Sequence, residues 1–183
     1  MIVDFHIHYS PEQLVRPKLG PGGTPRTIFV NGAPAQMPQQ QLFALENHIV
    51  AMDEAGVDVA VLSSPSGLVD DLDQCRMVND NLKWVEDRFP GRLQGMAHVP
   101  ALGGEQSLRE FDMGGCFGNI NPVKCALVEI DPEKLLLGTD YPQEMRDGKS
   151  IKRFIDEIKK LPVSQYQING MLGENGKQFL KNL

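Results

Sequence analysis

The chain opens on an alternation. Across its first eight residues Asp4, His6 and His8 share one face of an extended segment, and Val3, Phe5 and Ile7 share the other. A segment lined on both faces predicts a buried parallel strand, which Tyr9-Ser10-Pro11 then breaks. Residues 10–38 form a long loop, rich in Pro and Gly, with Asn31-Gly32 as the signal of a tight turn between two short strands. Such a loop is either a lid over the end of the first strand or a surface excursion. Leu42, Leu45, Ile49 and Met52 then recur at helical spacing, predicting a helix over 39–55 that Gly56 stops.

The alternation of element types continues downstream. A continuous apolar run, 57–62, predicts a second strand closed by Ser63-Ser64-Pro65, and Leu72, Val78, Leu82, Val85 and Phe89 predict a helix over 71–89. Met77 and Trp84 in that helix read as core. A third strand is expected over 92–98, ending at His98. The pattern is less regular after 101, with a short helix over 102–110, a strand and Gly-rich loop over 111–118, and a helix over 121–130 opened by Asn121-Pro122. A buried strand over 134–138 leads into Thr139-Asp140-Tyr141-Pro142, and helices are expected over 151–161 and 171–183. Strands alternating with helices predict an α/β fold, mostly parallel with outer helices, in a single domain over 1–183.

Composition narrows the function classes. At 183 residues, 41% hydrophobic and 23% charged, the chain can bury a core of its own. A net charge of −6 and a pI near 5.2 leave no basic stripe, which argues against nucleic acid and against an anionic membrane as partners. Cys75, Cys116 and Cys125 form neither a metal motif nor an even disulfide framework. Reduced thiols, the absence of an apolar run of spanning length and the absence of a leader predict a cytoplasmic protein.

The candidate chemistry sits at strand ends. His6 and His8 place two imidazoles side by side where the first strand becomes a loop, at the carboxyl edge where parallel α/β folds build their sites. Imidazole is the commonest metal ligand, so the pair is a candidate metal site. Asp140 follows an apolar strand and is placed either as a ligand or proton carrier or as a turn residue. His98, also at a strand end, contacts metal or substrate if it faces inward and packs under a helix if it faces outward. His48 lies beside an apolar helix stripe and reads as a helix-edge residue rather than a ligand.

Taken in order, Asp4-Phe5-His6-Ile7-His8, Gly56-Val57-Asp58-Val59-Ala60-Val61, Pro90-Gly91-Arg92-Leu93-Gln94-Gly95 and Leu136-Leu137-Gly138-Thr139-Asp140-Tyr141-Pro142 resemble the amidohydrolase-related metalloenzymes of the aminocarboxymuconate semialdehyde decarboxylase type. Met171 to Leu180 is similar to that family's last helix. The resemblance implies a TIM-barrel-like (β/α) fold with a divalent metal, usually zinc, at the carboxyl face. It implies that His6 and His8 are ligands and that Asp140 binds metal and moves protons. The chain departs from the pattern in length, since a full barrel takes roughly 200 residues at the least and typically about 250. Only about five strand candidates are present, and there is no histidine after His98. A shortened or incomplete barrel is therefore expected, whose unpaired sheet edges either close in a smaller, rearranged sheet or favour a homo-oligomer.

The function expected on this reading is a metal-dependent hydrolase acting on a small carbonyl or carboxylate compound. The alternatives are a non-oxidative decarboxylase of an aromatic or unsaturated acid, and a catalytically impaired shortened relative with a binding or structural role.

Overall fold

The computed structural model describes residues 1–30, 32–67, 71–96 and 131–180, together with 98, 120, 123, 124 and 127. The centre is a three-stranded parallel sheet, ordered β1 (Val3–His8), β4 (Val59–Ser63), β5 (Leu93–Gly95). Val3 pairs with Val59 and His8 with Ser63, while Leu62 faces Gly95 on the far side of β4. Val3, Ile7, Val59, Ala60, Leu62 and Leu93 are all buried, and β4, paired on both sides, is the continuously apolar run, whereas β1 alternates. The strand expected over 57–62 sits two residues later at its start, and the one expected over 92–98 shortens to three residues.

The segment expected as a strand over 134–138 is extended chain laid along the other side of β1. Phe5 donates its N–H to the Leu137 carbonyl at 2.8 Å, Asp140 to His6 at 2.8 Å and His8 to Tyr141 at 2.7 Å. Ile7 and Tyr141 form a parallel bridge. The pairing therefore runs three residues beyond the apolar run, through Asp140 itself.

Helices cover the sheet. After the short helix α1 (Glu12–Val15) and the antiparallel hairpin of β2 (Ile28–Val30) and β3 (Ala33–Gln36), a single 3-10 turn at Gln40–Leu42 precedes α2 (Leu45–Ala55). The hairpin is the one its turn signal predicts, with Gly32 at φ +80. Gly56 ends α2 in the left-handed region, φ +74, where a side chain would strain. Asp71 caps α3 (Leu72–Arg88) by accepting from the Asp73 and Gln74 amides. Asp147 caps α4 (Gly148–Ile158), and Ser164 with Gln167 forms a reciprocal capping box on α5 (Gln165–Leu172).

Two expectations fail on burial. Trp84 and Met77 lie outward on α3, Trp84 half exposed with the Arg88 guanidinium 5.2 Å over its ring, because the Val78, Leu82 and Val85 stripe occupies the inner face. His48, expected at a helix edge, is fully buried. The elements expected over 102–110, 111–118 and most of 121–130, like the end of the last helix, lie outside the described residues. In place of one helix over 171–183, α5 ends at Leu172 and a 3-10 segment runs over Glu174–Phe179. No helix among the described residues is long and apolar enough to cross a membrane.

The closing segment packs against β1 because Gly176 has no side chain: a Cβ there would lie 2.1 Å from Phe5 Cζ. Gly176→Ala should therefore displace the Phe5 ring and cost about 1–3 kcal/mol, the usual range for overpacking. Urea unfolding measures this, and an unchanged midpoint would show that the contact carries no weight.

Candidate metal centre

Strand geometry brings the first two groups together. His6 and His8 project from one face of β1, and their Nε2 atoms lie 3.2 Å apart. The third group arrives through the backbone ladder. With Asp140 N bonded to the His6 carbonyl and the His8 amide to Tyr141, the Asp140 carboxylate turns back onto the pair. Its Oδ1 is 3.3 Å from His6 Nε2 and 2.6 Å from His8 Nε2. Asp140 holds φ +55, a conformation that non-glycine residues seldom adopt and that Asp tolerates better than most. Strained backbone of this kind concentrates at functional positions.

A proton or a cation between the three satisfies their electrostatics. Burial works to raise the Asp140 pKa, but the hydrogen bonds and charges of His6 and His8 outweigh it and hold the carboxyl down at about 2. His8 Nδ1 lies 3.0 Å from Ser63 Oγ, its register partner on β4. If Nδ1 carries the proton and donates to Ser63, then His8 Nε2 presents a lone pair to an ionised oxygen 2.6 Å away. That arrangement is repulsive unless a proton or a cation sits between them. The separations suit a cation: four ligands about 2.0–2.1 Å from zinc in a tetrahedron are about 3.3 Å from one another. His6 to His8 and His6 to Asp140 match that edge length, and only His8 to Asp140 is shorter. Among the described residues these three form the one group able to hold a metal ion.

The supports behind the three are themselves buried. Asp4 Oδ1 accepts the His6 amide and the Thr139 amide, both at 3.1 Å, and its Oδ2 accepts the Thr139 hydroxyl. Asp4 thus ties the strand bearing the imidazoles to the segment bearing Asp140. Burial pushes its pKa up to about 6 against the pull of those hydrogen bonds. His48 holds the strand end, with Nε2 3.0 Å from the His8 carbonyl and Nδ1 3.1 Å from that of Ala44. Burial keeps this imidazole below its ordinary pKa, so it is neutral and donates to one of the two carbonyls at a time.

His98 does not join the group. Its Nε2 accepts the Ser64 amide at 3.1 Å, so the ring proton is on Nδ1, which is buried without a hydrogen-bond partner among the described residues. Burial lowers its pKa. Ser64 Oγ in turn lies 3.1 Å from Ser10 Oγ, which also accepts from Ser66 Oγ at 3.0 Å. His98 therefore sits inward, beneath a floor of hydroxyls, and is one step removed from the cavity. It also disposes of a rival arrangement. Ser63, His8 and Asp140 are connected like a nucleophilic triad, but the following amide, Ser64 N–H, points at His98 instead of serving as an oxyanion donor.

His8, Asp140, Ser10 and Ser66 line a cavity of about 390 Å³ to which the 10–38 loop also contributes lining residues. Gln39, buried, fixes the loop's end by donating to the Pro142 carbonyl at 3.1 Å.

No protein-family model and no curated protein matches this chain.

Three supporting residues lay in the sequence without an assigned role. Asp4 shares the strand parity of His6 and His8, a visible signal. Ser63 becomes meaningful only with the β1 to β4 register, and His48 only with the helix docked against the end of β1. The Asp4 clamp yields a test. A raised folded-state pKa means that its contribution is present below about pH 4 and is lost as pH rises through about 6. Over that window the wild type should lose up to about 3 kcal/mol relative to Asp4→Asn, as followed by urea unfolding at stepped pH. A difference between the two that is flat with pH would contradict the burial argument.

Proposed function

We propose that the chain is a metal-dependent hydrolase of the amidohydrolase-related type, a shortened relative of the (β/α) barrel enzymes, acting on a small carbonyl or carboxylate compound. The observation that carries the reading is the convergence of His6 Nε2, His8 Nε2 and Asp140 Oδ1 at separations suited to one divalent ion, most readily zinc, on the wall of a cavity. When bound, such an ion supplies Lewis acidity towards a carbonyl oxygen and lowers the pKa of water into the neutral range.

The chain's own groups do the rest. His6 and His8 would hold the ion through Nε2 as neutral ligands, with the Ser63 hydroxyl accepting from His8 Nδ1 and so fixing its tautomer. Asp140 engages both imidazoles through Oδ1, while Oδ2 has no hydrogen-bond partner among the described residues. Oδ2 is therefore the atom that accepts a proton from the attacking water and passes it to the leaving group. The His6, His8 and Asp140 geometry is held by Asp4 and His48 without needing the substrate. Among the described residues no strand pairs with the outer edge of β5, which favours a homo-oligomer, and light scattering that finds a stable monomer would count against that part of the reading.

Zinc titration by calorimetry tests the metal. One ion per chain is expected, with binding in Ser63→Ala weakened by about 10–100-fold, the usual loss when a partner behind a ligand is removed, and weakened further in His8→Ala and Asp140→Ala. Absence of stoichiometric zinc in the folded wild type would overturn the reading. A panel of aryl esters and lactones beside hydroxybenzoates, with zinc added, then separates hydrolysis from decarboxylation. Zinc binding without turnover on either set would instead favour the impaired relative.

A further inference from the structure

The cavity carries a second chemical feature that the metal reading does not use. Lys18 lines it, half-buried, with Nζ 3.4 Å from the Gln36 side-chain oxygen on β3. Among the described residues no carboxylate lies within 4.0 Å of that ammonium. The nearest acid in sequence, Glu12, is already engaged by Arg16. Asp140, the one carboxylate among the described lining residues, is turned onto His6 and His8. A lysine has three donors, and the amide of Gln36 satisfies one weakly and neutralises nothing. The same lining includes apolar side chains, Leu14, Val15 and Leu42 among them, together with His8 and Asp140.

A cavity whose lining combines a cation without an ion-pair partner among the described residues, apolar side chains and the His8 and Asp140 groups is complementary to one kind of molecule. We propose that the ligand is a small organic anion with a hydrocarbon body, whose carboxylate lies away from the reacting bond and pairs with Lys18, the residue that determines specificity. This rests on the metal reading only for which end of the molecule reacts. The volume, about 390 Å³, is at the lower end of ligand cavities and suits a molecule the size of a substituted benzoate. In a chain of net charge −6, a local cation is also what an anion needs in order to approach.

Monomethyl terephthalate and its neutral isostere methyl 4-carbamoylbenzoate differ only at the group offered to Lys18. Their dissociation constants are measured by calorimetry on the full chain, both zinc-free and zinc-loaded. The wild type should bind the anion at least about tenfold more tightly than the amide, as expected for one charge-assisted hydrogen bond. Lys18→Gln should bring that ratio close to one, and Lys18→Arg should retain most of it. Zinc stoichiometry and the circular dichroism spectrum should be unchanged in both variants. The preference should also shrink as salt rises. A ratio that survives Lys18→Gln, an amide bound as tightly as the anion, or no binding of either ligand would overturn the proposal. The two readings fail separately: zinc that does not bind removes the metal centre, whereas a Lys18-dependent ratio in zinc-free protein stands without it.

Discussion

A single buried carboxylate joins two distant segments of the chain. Asp4 accepts hydrogen bonds from His6 beside it and from the amide and hydroxyl of Thr139, 135 positions away. Each is a modest contribution alone, but removing the acceptor would strand three donors in a dry interior at about 1–3 kcal/mol apiece. The same contacts decide where Asp140 goes. With Thr139 held against β1, the next residue has little choice but to turn its side chain back over the imidazoles, and it takes a left-handed backbone conformation to do so. The local strain is small beside the clamp that imposes it.

The sheet and helices serve this geometry in a simple way. Parallel pairing of β1 with β4 aligns His8 with Ser63, so the carboxyl ends of neighbouring strands supply a candidate ligand and the hydroxyl beside it. α2 docks so that His48 holds the last carbonyl of β1, and the 10–38 loop returns over the same edge to wall a cavity. All the groups that matter are therefore at one end of one sheet, as expected where helices occupy the faces and only the strand ends remain for chemistry. The shortness of the sheet does not disturb this, because β1 touches both β4 and the Asp140 segment directly.

The parts of this arrangement that were legible in the sequence are those governed by local pattern. The parity of Asp4, His6 and His8, the Asn31-Gly32 turn, the inner stripe of α3 and the placing of Asp140 just past an apolar run all follow from neighbours in the chain. What was not legible depends on contacts between distant segments. Trp84 reads as core by composition, yet the stripe of Val78, Leu82 and Val85 takes the inner face and leaves it outside. His48 reads as peripheral by its position beside a stripe, yet it becomes fully buried where α2 meets the strand end. Extended pairing past Gly138 is hidden because Thr139 and Asp140 look like a turn, and only the hydrogen bonds to β1 reveal that the ladder continues.

The central claim is that two imidazoles and one carboxylate share a single ion. X-ray absorption at the zinc edge on the zinc-loaded chain tests it most directly. The expected spectrum has a shell of nitrogen and oxygen at about 2.0–2.2 Å, with the outer-sphere ring scattering of two histidines that falls to one in His6→Ala. A spectrum without imidazole scattering, or one that His6→Ala leaves unaltered, would contradict the account.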